Sequence, residues 1–304
     1  TMHDCDVMIC IGARFDDRIT GRLDAFSPGS KKIHVDVDPS SINKNVHVDV
    51  PIVGDCAFVI DQLIAAWKAR NPSLDKEAHA RWWDQISTWR ERKCLHYRNR
   101  NDVIMPQYAI ERLFALTRDH DTYITTEVGQ HQMWAAQYFD YREPRLWLTS
   151  GSMGTMGFGL PAAIGAQFAV PDRTVIDIDG DGSMRMNIGE LETATTYGAP
   201  IKVLVFNNLG DGMVRQWQKL YYDNRLAASD KSLHSKDFVK AAEADGFEYA
   251  KKLDRKDDLE AVIAEFMAFE GPAFLEVIID RDAGVYPMVG PGLSYDNMIT
   301  GEWI

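Results

Sequence analysis

Apolar residues follow two alternating patterns along the chain. Short apolar runs such as VMICIG predict buried strands, and longer segments with apolar residues three and four positions apart predict helices. The predicted strands cover residues 7–12, 32–37, 122–126, 174–178, 201–206 and 274–279. The predicted helices cover residues 58–67, 106–118, 160–169, 188–197, 213–221, 236–244 and 257–269. This alternation predicts an α/β fold of parallel sheets with helices on both faces.

The same pattern divides the chain into regions, and 304 residues suggest about two domains. Residues 1–70 are typical of the latter part of a nucleotide-binding α/β unit. Residues 71–104 contain three tryptophans among many charges and predict a linker helix region. Residues 105–285 predict a second α/β domain. The glycine- and proline-rich residues 286–304 predict an irregular tail, either a frayed end or a cover over an active site.

The composition excludes several classes of protein. Apolar residues make up 45% of the chain and charged residues 26%, which is typical of a globular protein rather than a disordered one. The net charge of −12 opposes binding to nucleic acid, and no apolar run is long enough to span a bilayer. The four cysteines form no CxxC pair and indicate reduced thiols. We therefore expect neither a nucleic-acid partner nor a membrane segment.

One motif carries most of the chemical information. The predicted strand 174–178 leads into GDGS at 180–183, and the next strand along the chain ends in the asparagine pair 207–208. Because parallel strands end at the same edge of a sheet, Asp181 and Asn208 should converge. Their oxygens suit Mg²⁺, the glycines let the backbone approach a diphosphate, and the serine and the next helix N-terminus add donors. The motif predicts a site for a metal-bridged diphosphate; the alternative is an ordinary surface Asp-Gly turn.

Several other segments resemble a known family. They are GARFDDRITG at 12–21, EVGQHQMWAAQ at 127–137, SGSMGTMGFGLPAAIGAQ at 150–167 and GMVRQWQ at 212–218. With the GDG and NN segments they resemble the catalytic subunit of acetohydroxyacid synthase, also called acetolactate synthase, over essentially the whole chain. GMVRQWQ and GARFDDR narrow the resemblance from thiamine diphosphate enzymes in general to this family.

The resemblance implies a domain arrangement. Family members have three α/β domains, and residues 1–70 would be the C-terminal part of the central, FAD-binding domain. Residues 105–285 would be the domain that binds the diphosphate of thiamine diphosphate and Mg²⁺. The first domain, with the glutamate that activates the cofactor, has no counterpart in this sequence. We therefore expect the chain by itself to be incomplete for turnover.

The resemblance also implies the site residues. The metal ligands would be Asp181, Asn208 and the main-chain carbonyl of Gly210. The residues implied to contact thiamine diphosphate are Val128, Gly129, Gln130, His131, Gly154, Met156, Gly182, Ser183, Gly212 and Met213. The residues implied to lie near FAD, which would perform no net redox step, are Arg14, Asp16, Arg18, Ile19, Asp36, Ser41, Asp55 and Cys56. The implied catalytic set is Met213 as a wedge that bends the cofactor, Met156 beside its rings, and Trp217 as a pocket wall favouring 2-ketobutyrate.

Structural interpretations of these residues stay open. Without the resemblance, Met213 and Trp217 indicate an amphipathic helix face, because they lie four positions apart. Without the resemblance, the segment from Arg14 to Arg18 indicates a cluster of ion pairs on the surface. His131 is a candidate either for moving a proton or for contacting the diphosphate.

The implied reaction removes CO₂ from pyruvate and joins the remainder to a second 2-keto acid. Its products, acetolactate and acetohydroxybutyrate, begin branched-chain amino acid biosynthesis. The resemblance further implies a homodimer or homotetramer, a possible small regulatory subunit, and a location in the cytoplasm of a bacterium or in a plastid or mitochondrion of a eukaryote. Two alternatives remain: another thiamine diphosphate enzyme acting on pyruvate, such as a pyruvate oxidase or 2-keto acid decarboxylase, and a fragment that binds cofactor without turnover.

Overall fold

Two units divide the chain in the computed structural model, which describes residues 1–234 and 236–301. Unit 1 comprises Thr1–His96 and Tyr286–Ile304, and unit 2 comprises Tyr97–Val285. The predicted linker helix region is thus shared between the units, and the predicted tail groups with unit 1. The last three residues of that tail, 302–304, lie outside the described residues.

Unit 1 contains a parallel three-stranded sheet in the order β1-β2-β3 within the described residues. The strands are β1 (Val7–Ile11), β2 (Lys31–Asp36) and β3 (Val50–Val53). The helices are α1 (Asp17–Thr20), α2 (Cys56–Arg70) and α3 (Lys76–Glu91), with 3₁₀ turns at Leu23–Ala25, Pro39–Ser41 and Tyr295–Asn297. A small core of Met8, Phe15, Phe26, Val46 and Val48 packs within this unit.

Helix α2 begins two residues before the predicted start because of its cap. Asp55 accepts hydrogen bonds from the backbone N–H groups of Ala57 and Phe58, which satisfies donors that the first turn leaves open. The helix ends at Arg70, and the left-handed backbone of the next residue, Asn71, closes the last turn. Strand β3 was not predicted, since its four residues include Pro51 and it lies at the sheet edge.

Unit 2 contains a parallel six-stranded sheet in the order β5-β4-β6-β7-β9-β8 within the described residues. The strands are β4 (Thr122–Thr126), β5 (Trp147–Thr149), β6 (Thr174–Gly180), β7 (Lys202–Asn207), β8 (Tyr249–Leu253) and β9 (Ala273–Ile278). The helices are α4 (Pro106–Thr117), α5 (Gln130–Tyr138), α6 (Gly159–Ala169), α7 (Asp181–Met184), α8 (Glu190–Thr196), α9 (Gly212–Tyr221), α10 (Phe238–Ala244) and α11 (Leu259–Ala268). Two 3₁₀ turns lie at Ser232–His234 and Lys256–Asp258.

Helices cover both faces of the unit 2 sheet, as predicted. Successive strand residues point to opposite faces: Ile176 and Ile178 belong to an apolar cluster that includes residues of α4, α5 and α11, whereas Val175 belongs to one that includes residues of α6, α8 and α10. Both clusters are buried and apolar, which explains why these strands appear in the sequence as nearly continuous apolar runs. The described residues contain no helix both long and apolar enough to cross a membrane.

Among the described residues, four helices and strands of unit 2 escaped prediction, each for a local reason. Helix α7 has only four residues. Strand β5 has only three residues. Strand β8 is an edge strand whose middle carries the exposed Lys251 and Lys252, a pattern that protects an edge but hides the strand signal. Helix α5 has polar residues over its first turn and begins after Gly129, so its apolar pattern is weak.

The core of unit 2 yields a stability prediction. Phe274 on β9 is fully buried, and its ring centroid lies 6.1 Å from that of Phe247 in an edge-to-face contact. We expect Phe274→Ala to lower the free energy of unfolding by about 3–5 kcal/mol, through lost burial and a residual cavity. Urea unfolding followed by fluorescence measures this loss. The control, Leu116→Ala at a side chain that is 45% exposed, should change stability by less than about 0.5 kcal/mol, and an equal loss in both variants would contradict the assignment of the core.

Candidate functional site

The loops after β4, β6 and β7 all begin at one edge of the unit 2 sheet, where these parallel strands end. Strands β4 and β6 are neighbours, but the chain leaves β4 toward β5 on one side and continues from β6 toward β7 on the other. The connections therefore diverge between β4 and β6, and such a switch point opens a crevice at the carboxyl ends of the strands. The predicted site segments 127–131, 180–183 and 207–210 all lie at this edge.

Asp181 and Asn208 meet at this edge, as the spacing predicted. The backbone N–H of Asn208 donates a hydrogen bond to the Asp181 carboxylate, and burial raises the pKa of Asp181 to about 7. Oδ2 of Asp181 and Oδ1 of Asn208 are both buried and have no hydrogen-bond partner among the described residues. Buried oxygens are rarely left unpaired, and a hard cation is a suitable partner for a carboxylate and an amide oxygen. The pair therefore fits Mg²⁺.

Few charged side chains are available as ligands for a cation at Asp181 and Asn208. Across the described part of the chain, no group of three or more His, Cys, Asp or Glu side chains is placed to hold a metal ion. A cation at Asp181 and Asn208 would thus take its other ligands from main-chain oxygens, water or a bound ligand. Mg²⁺ commonly binds in this way, through one or two protein oxygens together with phosphates.

Two glycines allow the loops to approach each other. A Cβ atom on Gly212 would lie 2.0 Å from Oε1 of Gln130 and 2.5 Å from Nδ2 of Asn208. A Cβ atom on Gly182 would lie 2.3 Å from Oδ1 of Asp211. A larger residue at either position would have to displace these side chains. Nδ2 of Asn208 donates to Oε1 of Gln130 at 3.2 Å, so the loops after β4 and β7 are already joined.

His131 lies against the GDG loop at the start of α5. The ring is 5% exposed, and a Cβ atom on Gly180 would lie 2.7 Å from its Nδ1. Burial lowers the pKa of His131 to about 3, so the imidazole is neutral at physiological pH. A neutral ring can accept or donate a hydrogen bond but adds no positive charge to the site.

The remaining residues predicted to contact thiamine diphosphate lie around the same crevice. The Ser183 hydroxyl donates to the carbonyl of Val128 at 3.0 Å. A Cβ atom on Gly154 would lie 3.9 Å from the methyl groups of Val128. One on Gly182 would lie 3.7 Å from the Met156 methyl group. The structure thus brings together the loops after β4, β5 and β6.

Met213 and Trp217 lie one turn apart on α9, which begins at Gly212. Met213 is half-buried and packs against the core cluster shared with α4 and α5. The half-buried Trp217 ring has its centroid 5.1 Å from that of Tyr221. Gly210 lies between Asn208 and α9, where a Cβ atom would meet the carbonyl of Ser229 at 2.5 Å. Both side chains thus lie on the helix that begins beside Asn208 and Gln130.

A buried cluster of three acids lies beneath the crevice and was missed by the sequence analysis. Glu127, Asp177 and Asp179 are each fully buried. Glu127 accepts a hydrogen bond from the backbone N–H of Gly157 and shares another with Asp179, while Asp177 accepts from Thr125 at 2.9 Å. Burial, and then the charge of Glu127, raise the pKa values of Asp177 and Asp179 well above the usual range. The sequence signal for this cluster was the presence of two acids, Asp177 and Asp179, within the otherwise apolar strand β6.

A chain of amides, also missed, joins α5, α9 and the end of unit 2. Gln216 donates to the carbonyl of Val285 at 3.0 Å, and its own carbonyl oxygen accepts from the N–H of Val285 at 2.9 Å. That oxygen also accepts from Nε2 of Gln130 at 2.9 Å, and the same Nε2 donates to the carbonyl of Ala283 at 3.1 Å. The helix carrying Met213 and Trp217 is thereby attached to the first turn of α5, which also carries His131.

The residues predicted to lie near FAD are found around the carboxyl edge of the unit 1 sheet. Asp36 ends β2, and its carbonyl accepts from the N–H of Gly54 at 3.0 Å, which places Asp55 and Cys56 beside it. Ser41 ends a 3₁₀ turn near Asp38. The other four residues follow β1, where Arg14 and Asp16 form an ion pair at 3.1 Å. Those four are Arg14, Asp16, Arg18 and Ile19. This ion pair also agrees with the structural interpretation of that segment.

Each of the two units contains a match to a known protein family. Residues 127–277 match the family described as thiamine pyrophosphate enzyme, C-terminal TPP binding domain. Residues 1–63 match the family described as thiamine pyrophosphate enzyme, central domain. All residues predicted to contact thiamine diphosphate or the metal lie inside the first of these matches, and those predicted to lie near FAD lie inside the second.

Curated relatives cover nearly all of the chain. It is 42% identical over 302 residues to the acetolactate synthase isozyme 3 large subunit of Escherichia coli K12, covering 98% of the chain and 52% of that protein. It is 44% identical over 298 residues to the acetolactate synthase of Mycobacterium leprae, covering 96% of the chain and 47% of that protein. The acetolactate synthase large subunit of Haemophilus influenzae is 40% identical over 303 residues. The chain spans about half the length of the curated relatives it matches.

The acidic cluster yields a prediction about pH and stability. The pKa of Asp177 lies above its unfolded value, so its contribution to stability is present below about pH 4 and is lost as the pH rises through the folded pKa. Each unit of separation corresponds to about 1.4 kcal/mol. Asp177→Asn resembles the protonated acid and keeps an oxygen for Thr125, so its melting temperature should fall less between pH 5 and pH 8 than that of the wild type.

The control for this measurement is Asp172→Asn, at an exposed acid before β6. Melting temperatures from calorimetry at intervals across that pH range provide the comparison. Parallel pH curves for wild type and Asp177→Asn would show that Asp177 is ionised in the folded protein and would contradict the prediction.

Proposed function

Because the chain belongs to the thiamine pyrophosphate enzymes and is homologous to acetolactate synthase large subunits, we propose that it is the cofactor-binding part of an acetolactate synthase. The observation that carries the proposal is the meeting of two unpaired buried oxygens, from Asp181 and Asn208, after the adjacent strands β6 and β7 of a thiamine pyrophosphate-binding domain. The reaction would condense pyruvate, after loss of CO₂, with a second 2-keto acid in branched-chain amino acid biosynthesis.

In this proposal Asp181, Asn208 and the main-chain carbonyl of Gly210 hold Mg²⁺. The residues that would hold the diphosphate are Gly182, Ser183, Gly212, Gln130 and His131, and those that would contact the rings are Val128, Gly129, Gly154 and Met156. The close approach at Gly182 and Gly212 supports this arrangement, since only glycine leaves the backbone accessible there. When bound, thiamine diphosphate supplies a nucleophilic carbon and an electron sink for removing CO₂ from a 2-keto acid.

The side chains of this domain would orient and shield the reacting groups. Met213, which is half-buried in the first turn of α9, would act as an apolar wedge against the cofactor. Trp217, one turn later, forms a wall against which the extra methylene of 2-ketobutyrate packs. His131 would contact the diphosphate as a neutral ring and would add no positive charge there.

Unit 1 would hold FAD in a structural role, with no net redox step. Asp36 at the end of β2 suits the ribose hydroxyls of an adenosine, as acidic residues do after the corresponding strand of nucleotide-binding folds. Ser41, Asp55 and Cys56 would complete the adenosine end, and Arg14, Asp16, Arg18 and Ile19 would lie nearer the flavin. The complete protein would act as a homodimer or homotetramer, with a small regulatory subunit as a further partner.

The metal assignment is tested by removing the carboxylate. We expect Asp181→Ala to weaken Mg²⁺-dependent binding of thiamine diphosphate by at least about 100-fold, because a lost ligand should cost at least as much as a lost outer-shell contact. Titration calorimetry with and without Mg²⁺ measures the effect. Asp172→Ala, at an exposed acid near the opposite end of the same strand, should bind normally. Unchanged binding by Asp181→Ala would refute the metal site.

The substrate assignment is tested in the full-length protein by its products. Acetolactate from pyruvate supports the proposal, whereas acetaldehyde or acetyl phosphate would identify a decarboxylase or an oxidase instead. With pyruvate and 2-ketobutyrate in competition, Trp217→Ala should lower the ratio of acetohydroxybutyrate to acetolactate about tenfold, since a methylene contact contributes about 1–3 kcal/mol. The exposed Val214→Ala on the same helix should leave the ratio unchanged.

A further inference from the structure

A buried glutamate on the strand next to β7 contacts the asparagine that precedes the proposed metal ligand. Oε1 of Glu276, on β9, accepts a hydrogen bond from Nδ2 of Asn207 at 2.6 Å. Glu276 is 1% exposed and Asn207 is 3% exposed, so water does not compete for this bond. Lys252, on β8, approaches the other carboxylate oxygen only to 4.0 Å. Of these two polar partners among the described residues, Asn207 is therefore the closer to the carboxylate.

The other end of the Asn207 amide fixes the loop. Oδ1 of Asn207 accepts a hydrogen bond from the backbone N–H of Leu209 at 2.8 Å. Leu209 has a φ of +57°, a left-handed backbone that is unfavourable for a residue other than glycine. Leu209 stands between Asn208 and Gly210, the two ligands that the β7 loop would supply. The hydrogen bond from the Leu209 N–H to Asn207 thus helps to hold the turn that carries both ligand positions.

The position of Glu276 is otherwise unfavourable for the fold. It lies in the run AFLEVI of a strand with apolar clusters on both faces, and burial raises the pKa of its carboxyl group. A buried carboxyl group costs free energy that an apolar side chain of similar size would not. The carboxylate of Glu276 accepts a hydrogen bond from the Asn207 amide, and the orientation of that amide is the one that lets its oxygen bind the loop.

We propose that Glu276 is a positioning residue for the metal site, acting through Asn207 and Leu209 to hold the turn that carries Asn208 and Gly210. This inference rests on the proposed function, because it concerns the metal site assigned there. Glu276 does not touch the cation; it orients the amide whose other end constrains the ligand loop. Outer groups of this kind typically contribute 10- to 100-fold to metal affinity.

The test measures metal binding directly, without activity. Mn²⁺ binding to the full-length protein in the presence of thiamine diphosphate is followed by electron paramagnetic resonance. We expect Glu276→Leu, which keeps the volume and removes the acceptor, to weaken Mn²⁺ binding 10- to 100-fold. Glu276→Gln keeps an oxygen for Asn207 and should stay within about threefold of wild type. Glu265→Leu, at a glutamate that is half-exposed, is the matched control and should bind normally.

A double-mutant cycle separates positioning from a general loss of stability. Asn207→Ala should weaken Mn²⁺ binding by itself, and adding Glu276→Leu to it should have little further effect, because the two residues act in series. Should Glu276→Leu fail to fold, Asn207→Ala alone tests the same chain of contacts. Wild-type affinity in either single variant, while Asp181→Ala has lost Mn²⁺, would overturn the positioning role. Normal Mn²⁺ binding by Asp181→Ala would instead overturn the metal site of the proposed function.

Discussion

The arrangement of the site depends on the common direction of the strands in the unit 2 sheet. Because its strands are parallel, the loops after β4, β6 and β7 leave from the same edge, and the divergence between β4 and β6 opens a crevice there. Asp181 and Asn208 reach this crevice from two adjacent strands, each with a buried oxygen that no described residue satisfies. Unsatisfied buried oxygens raise the free energy of the ligand-free protein. A cation that binds both oxygens removes this cost, so its binding is more favourable there than at oxygens that water already satisfies.

The loops are already joined where a ligand would bind. Gln130 links Asn208 to Gln216, so that hydrogen bonds connect the loop after β4, the loop after β7 and helix α9. The missing side chain of Gly212 leaves the space that brings Gln130 and Asn208 together. Ordering these segments therefore contributes little to the free-energy cost of binding, because folding has already restricted them.

The sequence predicted the sheets, most helices and the meeting of Asp181 with Asn208, because each follows from periodicity or from strand polarity. It did not predict β5, β8 or α5, whose signals are short, charged or polar. Nor did it predict the contacts of Glu127 or Glu276. Glu127 meets Asp179 across neighbouring strands, and Glu276 meets Asn207 in the same way. Pairing between strands decides such contacts, and no local pattern in one sequence records it.

The polar groups that fix the site lie mainly in strands, and this placement has a physical reason. Asp177, Asn207 and Glu276 belong to strands packed on both faces by apolar clusters, so the sheet register fixes their backbone positions. A loop held by such groups acquires the rigidity of the sheet, whereas a loop held only by its own residues would keep more of its conformational entropy. Desolvating these groups is unfavourable, and burial raises the pKa values of Asp177 and Glu276 accordingly. The apolar clusters on the two faces offset that cost, which lets the loops themselves consist largely of glycine and small residues.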